Sequence, residues 1–402
     1  MEAKQIFEQY YKCLLDAAHN PDIAKGLSRS INANKERRAL VMQRFPDTVE
    51  LGQQVRRIKE DAMTHMDELV ARAKASLEAN RAKVYLANTA DDALKIISGI
   101  VGSGKTIVSG KTLVSEEVGL RHYLESLGNE FWETDVAQFI QQLREEKPMH
   151  YVYPSLHVTR EEVAKLLTDL LHKDIPIDIP VQVRTIREFL RSKYFKADFG
   201  ISGGNVLAAD TGSIFLLENE GNIRMSTNVP PVHIALIGIE KIVPSMDNAF
   251  TVAQVIWRYA GFVAPLYVSI ISGPSGTADI ENVMIQGSSG PLELHVILLD
   301  NGRSNLAKDP ILKEALYCIK CGTCLFECPI FQLTAGHYGG EAYFGGVGSI
   351  LSAFVGGSLK EAAPISFTCL RCGCCTNVCP TSIDTSKLTA ELRQRIVKDA
   401  RS

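Results

Sequence analysis

Between Lys83 and Leu299 the chain alternates short unbroken apolar runs with stretches whose apolar residues return every three or four positions. The first pattern suits a strand buried on both faces, the second an amphipathic helix. Strands are expected at residues 84–86, 106–108, 131–132, 151–153, 213–217, 233–237, 267–271 and 294–299. The intervening helices include one capped by Thr89 with Asp91 and Asp92 in its first turn, one over 115–127 and one from Asp135. Such alternation predicts an α/β fold: a mostly parallel sheet covered on both faces by helices. The later strands follow one another with fewer helices between them, so part of the sheet is expected to be mixed.

The flanks read differently. In residues 1–80, Val55, Ile58, Ala62, Met66, Leu69, Val70, Ala73 and Leu77 mark one face of a long helix, expected to pack on the next domain. After Asp300-Asn301-Gly302 the pattern gives way to a cysteine-rich module. The expected organisation is an N-terminal helical segment (1–80), an α/β domain (81–303) and a C-terminal module (304–402).

That module holds eight of the ten cysteines, in two copies of one spacing. The first is Cys318-x2-Cys321-x2-Cys324-x3-Cys328-Pro329; the second is Cys369-x2-Cys372-x2-Cys375-x3-Cys379-Pro380. A cubane needs thiolates at the corners of a tetrahedron, and x2 steps let one tight loop supply three of them. In this bacterial ferredoxin run the fourth cysteine serves the other cluster. Two [4Fe–4S] clusters are therefore expected, one on Cys318, Cys321, Cys324 and Cys379, the other on Cys369, Cys372, Cys375 and Cys328. Paired zinc knuckles would separate their cysteines into two C-x2–4-C pairs. Disulfides would call for a secretory signal, and the N-terminus carries none. The long spacer between the runs points to a helical ferredoxin module. Cys374 is read as a small unligated residue and Cys13 as ordinary packing.

Residues 99–106 match the P-loop pattern letter for letter, but in inverted context. A P-loop follows a strand and opens a helix, so that backbone N–H groups meet phosphate. Here a helical stretch precedes and a strand follows, which argues against nucleotide hydrolysis. Three polar clusters are better candidates for a binding site: Ser202-Gly203-Gly204-Asn205 with Asp210-Thr211-Gly212, then the loop bearing Ser272, Ser275 and Thr277, and third His157. Each borders an expected strand, where open α/β sheets bind ligands. His157, Asn205, Thr211, Ser272, Ser275 and Thr277 are thus the candidate substrate residues; no catalytic residue is identified. The balance of 43 basic against 46 acidic residues gives a net charge of −3 and offers no basic field for nucleic acid. No apolar run reaches transmembrane length, so a cytoplasmic protein is expected, with peripheral docking on the inner face of a membrane as a variant.

The residues together resemble a family. Residues 113–120 and 231–241, Pro154-x-x-His157-x-Thr159-Arg160, Asp210-Thr211-Gly212, Glu218-x-Glu220-Gly221-Asn222, Ile271-Ser272-Gly273-Pro274 and Leu299-Asp300-Asn301-Gly302-Arg303 stand in the order found in LUD-domain iron–sulfur proteins of the L-lactate utilization system, B-type subunit. The resemblance runs to the two cysteine runs and covers nearly the whole chain. It implies a middle domain akin to the sugar-phosphate isomerase and CoA-transferase fold. It also implies a place in a multi-subunit complex oxidising L-lactate to pyruvate. Its partners there would be a cysteine-rich CCG-domain subunit, a small LUD-domain subunit and a downstream acceptor, a quinone or a ferredoxin or flavoprotein. Many members continue for several dozen residues past the second run, and Cys374 replaces a residue that is usually small and not cysteine. Two other readings stand beside it: a wiring subunit of a heterodisulfide-reductase-like or quinone-linked complex, and an acyl- or phosphosugar-type enzyme with redox-sensing clusters.

Overall fold

The computed structural model describes residues 3–401. Twelve strands follow in chain order: β1 (Lys83–Ala87), β2 (Thr106–Ser109), β3 (Glu130–Glu133), β4 (Phe199–Ser202), β5 (Val206–Ala208), β6 (Ser213–Glu218), β7 (Val232–Gly238), β8 (Ile242–Val243), β9 (Tyr267–Ile271), β10 (Gly276–Thr277), β11 (Ile285–Gln286) and β12 (Glu293–Leu299). Six form one wholly parallel sheet in the order β1-β12-β7-β4-β2-β3. The central strands β7 and β12 are buried from their second residue onward, as their unbroken apolar sequences require. The edge strand β1 keeps exposed positions.

The crowded later strands do not make this sheet mixed. Two of them, β7 and β12, stay at its centre, while β6 and β9 leave for a second sheet, ordered β8-β5-β6-β9, in which β6 runs antiparallel to β5 and β9. Residues 151–153, expected as a strand, are irregular. The buried His150 satisfies their backbone instead: its Nδ1 accepts from the N–H groups of Val152 (3.0 Å) and Tyr153 (3.2 Å). The expected helix over 115–127 is two helices, Leu113–Val118 and Leu120–Ser126, parted by Gly119 in the left-handed region (φ 63°).

Four helices precede the sheet: α1 (Ala3–Ala18), α2 (Pro21–Arg44), α3 (Thr48–Thr64) and α4 (Met66–Ala79). The apolar face read from the sequence is split between α3 and α4 at His65. These helices pack on the cysteine module as well as on the α/β domain. On α3, Gln53 donates to the Ser382 hydroxyl (2.8 Å), and Arg56 donates to the carbonyls of Thr381 (2.8 Å) and Ser382 (3.0 Å). One apolar core runs without a break from Val296 and Leu298 of β12 to Leu316, Ile350, Leu351 and Leu388 of the module. Arg303, 1% exposed, bolts the junction. It donates to both Glu117 oxygens (2.6 and 3.0 Å), to Glu240, and to the Tyr343 hydroxyl (3.1 Å).

A cavity and two thiol chambers in a row

The two cysteine runs fold as a backbone repeat. Cys318 and Cys369 are extended (φ −65° and −61°), Lys320 and Arg371 are left-handed (φ 59° and 54°), and Gly322 and Gly373 share φ 79°. A four-residue helix follows in each, Thr323–Phe326 and Cys374–Asn377. Two non-glycine residues at positive φ cost about 1 kcal/mol each or more, which fits loops shaped by what they hold rather than by local preference. Helices Gly345–Phe354 and Leu359–Thr368 bridge the loops, as the long spacer predicted.

The eight thiols line two adjoining chambers. Around the first stand Cys318, Cys321 and Cys324 with Cys379 from the second run; around the other stand Cys369, Cys372 and Cys375 with Cys328 from the first. Cys324 and Cys375, with Val347 and Thr385, form the wall between. Burial pushes the Cys321 thiol up to about 12, Cys328 up to about 11 and Cys324 well above its ordinary value. Such thiols stay protonated unless a cation draws the protons off. Donors to sulfur are in place: the Arg371 N–H lies 3.4 Å from Cys369 Sγ, and the Thr381 hydroxyl lies 3.4 Å from Cys379 Sγ. The buried Tyr338 hydroxyl lacks an oxygen or nitrogen partner and faces Cys369 and Cys328. Among the described residues no three His, Cys, Asp or Glu side chains gather tightly enough for a single ion. A cubane takes its ligands at wider spacing, one sulfur per iron, so the chambers fit clusters.

A cavity of about 590 Å³ adjoins the first chamber, with Tyr151, Cys318 and Ile319 as the common wall. Its position follows from topology. The connection leaving β2 runs to β3 on one side, while that leaving β4 runs to β7 on the other. The carboxyl ends of β2 and β4 therefore flank a switch point, where connections on opposite faces leave a crevice. Lys111 and Thr112 follow β2, and Gly203, Gly204 and Asn205 follow β4; all five line the cavity. Lys241 donates to the Gly204 carbonyl (2.9 Å), and Lys111 donates to the Val152 carbonyl (3.3 Å).

Comparison with known proteins meets this geometry at both ends. Residues 70–299 match the LUD domain, and residues 314–383 match the 4Fe-4S dicluster domain. The chain belongs to the LUD-domain iron–sulfur proteins. It is 33% identical to lactate utilization protein B of Bacillus pumilus, over 87% of this chain and 72% of that one. With lactate utilization protein B of Bacillus subtilis it shares 32% identity, over 85% and 70% of the two chains. The uncharacterized electron transport protein YkgF of Escherichia coli is 31% identical over 85% and 73%.

Within the LUD domain the polar candidates are dispersed. Asn205 lines the cavity, and its side-chain oxygen accepts the Leu217 N–H (2.9 Å). His157 is buried beside the cavity wall, its Nε2 3.0 Å from Glu146. The other four stand apart from the cavity. Thr211 offers its carbonyl to Asn80 (2.7 Å), and Ser272 shares a hydroxyl contact with Ser213 (2.8 Å). Ser275 accepts from Gly290 N–H (3.1 Å), and Thr277 donates to Asp279 (2.9 Å). The first two contacts tie turns to α4 and β6 and the last two close the turns around β10 and β11, so the Ser272 loop does not join the Ser202–Asn205 loop in one site. Lys111, Thr112 and Lys241 were not among the candidates, although the strand-end rule applied to β2 points to the first two.

The P-loop-like stretch closes the helix Ala90–Val101 and leads into β2, the inverted order expected. Lys105 pairs with Asp198 at 3.7 Å. The carboxyl end of that helix faces the stretch, which disfavours phosphate. Among the described residues no helix is long and apolar enough to cross a membrane.

Proposed function

We propose that this chain is the iron–sulfur electron-transfer subunit of a multi-subunit complex that oxidises L-lactate to pyruvate. The observation that carries the reading is the row of spaces: cavity, first chamber, second chamber, each sharing a wall with the next. The names of the relatives supply the substrate class, and the dicluster match supports the cofactor. Two [4Fe–4S] clusters are assigned, one to Cys318, Cys321, Cys324 and Cys379, the other to Cys369, Cys372, Cys375 and Cys328. When bound, they supply one-electron steps, and two of them suit a reaction that releases two electrons and two protons per lactate.

The chain's own residues set the path. The first loop is enclosed by the junction, and the second reaches solvent at Cys372 and at Leu370, which is 61% exposed. Electrons would thus enter on the cavity side and leave by the second loop to a partner. Around the β10–β11 hairpin, Ile280, Val283, Met284 and Ile285 are exposed, an apolar patch that suits a subunit interface. The proposed partners are a cysteine-rich CCG-domain subunit and a small LUD-domain subunit, with a quinone or a ferredoxin or flavoprotein downstream.

A strain lacking this chain is expected to lose growth on L-lactate and recover it on complementation with the wild-type chain but not with Cys318→Ser. Unimpaired growth of the deletion strain sinks the substrate assignment. Co-purification with heterodisulfide-reductase-like or quinone-linked subunits instead would reassign the complex.

A further inference from the structure

The cavity has a chemically distinct corner. Thr112 lines the cavity, and its hydroxyl is buried behind that wall without a hydrogen-bond partner. It lies against Gly203: a Cβ added there would sit 2.5 Å from Thr112 Oγ1, so the glycine is what lets the two strand-end loops meet. The next residue, Gly204, holds Lys241 through its carbonyl. Lys111 borders the same cavity one residue before Thr112. An orphan hydroxyl and two ammonium groups thus share the crevice at the switch point.

The charges around this corner do not cancel. The buried carboxylates Glu117 and Glu240 face Arg303, Lys59, Lys241 and Lys320. Part of that surplus belongs to the cysteine loop, since Lys320 is part of it and Lys59 faces Cys318. Lys59 and Lys320 line the cavity too, but Lys59 donates to the Glu240 carbonyl and Lys320 stands over the Tyr343 ring; Lys111 and Lys241 are the cations beside Thr112 and Gly204. Asp135, Glu218 and Glu220 line the cavity as well, and Lys111 counteracts the rise that burial gives the Glu220 carboxyl, so acidic and cationic groups share the space.

We propose that Lys111, Thr112 and Lys241 form the carboxylate seat of a small 2-hydroxy acid, placing the substrate on this chain and beside the Tyr151–Cys318–Ile319 wall. The inference rests on the lactate reading for its substrate class and adds where that substrate binds. Two ammonium groups and one hydroxyl match a carboxylate's two oxygens, and an unpaired buried hydroxyl is costly until a ligand accepts from it. The remaining volume, far larger than one such acid, leaves room for a redox partner to reach the bound molecule.

The test is anaerobic calorimetry on the full-length, iron-loaded chain, titrated separately with L-lactate, pyruvate and inorganic phosphate. Saturable, mutually competitive binding of lactate and pyruvate is expected, weakened at least tenfold in both Thr112→Val and Lys111→Met, with iron content and melting temperature retained. Thr112→Val is isosteric and Lys111 is partly exposed, so neither change removes a core contact. Absence of saturable carboxylate binding overturns the proposal. So does undiminished binding in both variants, and so does binding of phosphate alone. Lactate growth that depends on the chain, without lactate binding to it, sinks this site and leaves the relay reading standing. Growth that does not depend on it sinks both.

Discussion

The two cysteine loops share one spacing and one backbone, yet they live in different surroundings. Gly322 and Gly373 have the same φ of 79°, but a Cβ at Gly322 would lie 2.5 Å from the His150 ring, whereas nothing stands within 4 Å of one at Gly373. Thr323 is buried with its hydroxyl donating to the Tyr259 carbonyl; Cys374, at the matching position, is half-open. Cys321 is buried and Cys372 exposed. The shared cysteine spacing goes with a shared loop, and tertiary context decides which end of the pair faces a cavity and which faces solvent. In this account that difference gives the relay its direction.

The sharpest way to break the asymmetry is to loosen the junction that encloses the first loop. Arg303→Ala leaves Glu117 and Glu240 buried without their shared cation, and about 3–5 kcal/mol of stability should go. A thermal melt would register this, and the cluster signal of the first loop should decay before that of the second. A melting temperature within a degree or two of wild type would show that the junction does not depend on this residue.

Acid attacks the same side. Burial alone would raise the Glu240 carboxyl, but Arg303 and the nearby lysines hold it down at about 2. In Glu146, His157 and Arg144 outweigh burial in the same way, again to about 2. Both sit below the ordinary carboxyl value of 4.5, so their contribution is complete above that pH and drains as pH falls from 4.5 toward 2. Melting temperature should decline across that window, with a lower start and shallower slope in Glu240→Gln. A flat profile in the wild type would remove these pairs from the account.

Smaller effects separate the loops residue by residue. Alanine at Gly373 meets only backbone strain, about 1–2 kcal/mol. At Gly322 the same strain is joined by the clash with His150, so Gly322→Ala should cost roughly 1–3 kcal/mol more. Chemical denaturation of the two variants side by side measures the difference, and equal losses would erase the distinction between the loops. Least disruptive of all, Cys374→Ser should leave iron content and stability within about 0.5 kcal/mol of wild type. A loss of iron there would make Cys374 a ligand.

Much of this was legible in the residues. The cysteine spacing pointed to the 4Fe-4S dicluster domain that residues 314–383 match, and Thr89 and Asp135 cap the helices that their positions suggest. Continuous apolar runs marked β7 and β12 because strands inside a parallel sheet bury both faces. Tyr151–Tyr153 misled for a physical reason: its aromatic run packs on the cysteine module, with Tyr151 5.2 Å from the Phe344 ring, rather than pairing in a sheet. β4 and β5 are short, with Gly200 inside β4 and Gly203-Gly204 between the two, so neither stood out, and with β4 unplaced the switch point could not be located. Lys111 and Thr112 were missed in consequence. The Ser272 loop was overvalued because serine, glycine and threonine serve a hairpin's own turns as readily as a ligand's oxygens.

The relay claim meets its most direct test in anaerobic iron and acid-labile sulfide analysis with EPR of the dithionite-reduced chain, wild type beside Cys379→Ser. The account predicts about eight irons per wild-type chain as two [4Fe–4S] clusters. In Cys379→Ser the signal of the cluster on Cys318, Cys321 and Cys324 should be lost or altered while the other survives. Zinc in place of iron, one cluster per chain, or a Cys379→Ser lesion confined to the cluster of its own run would contradict it.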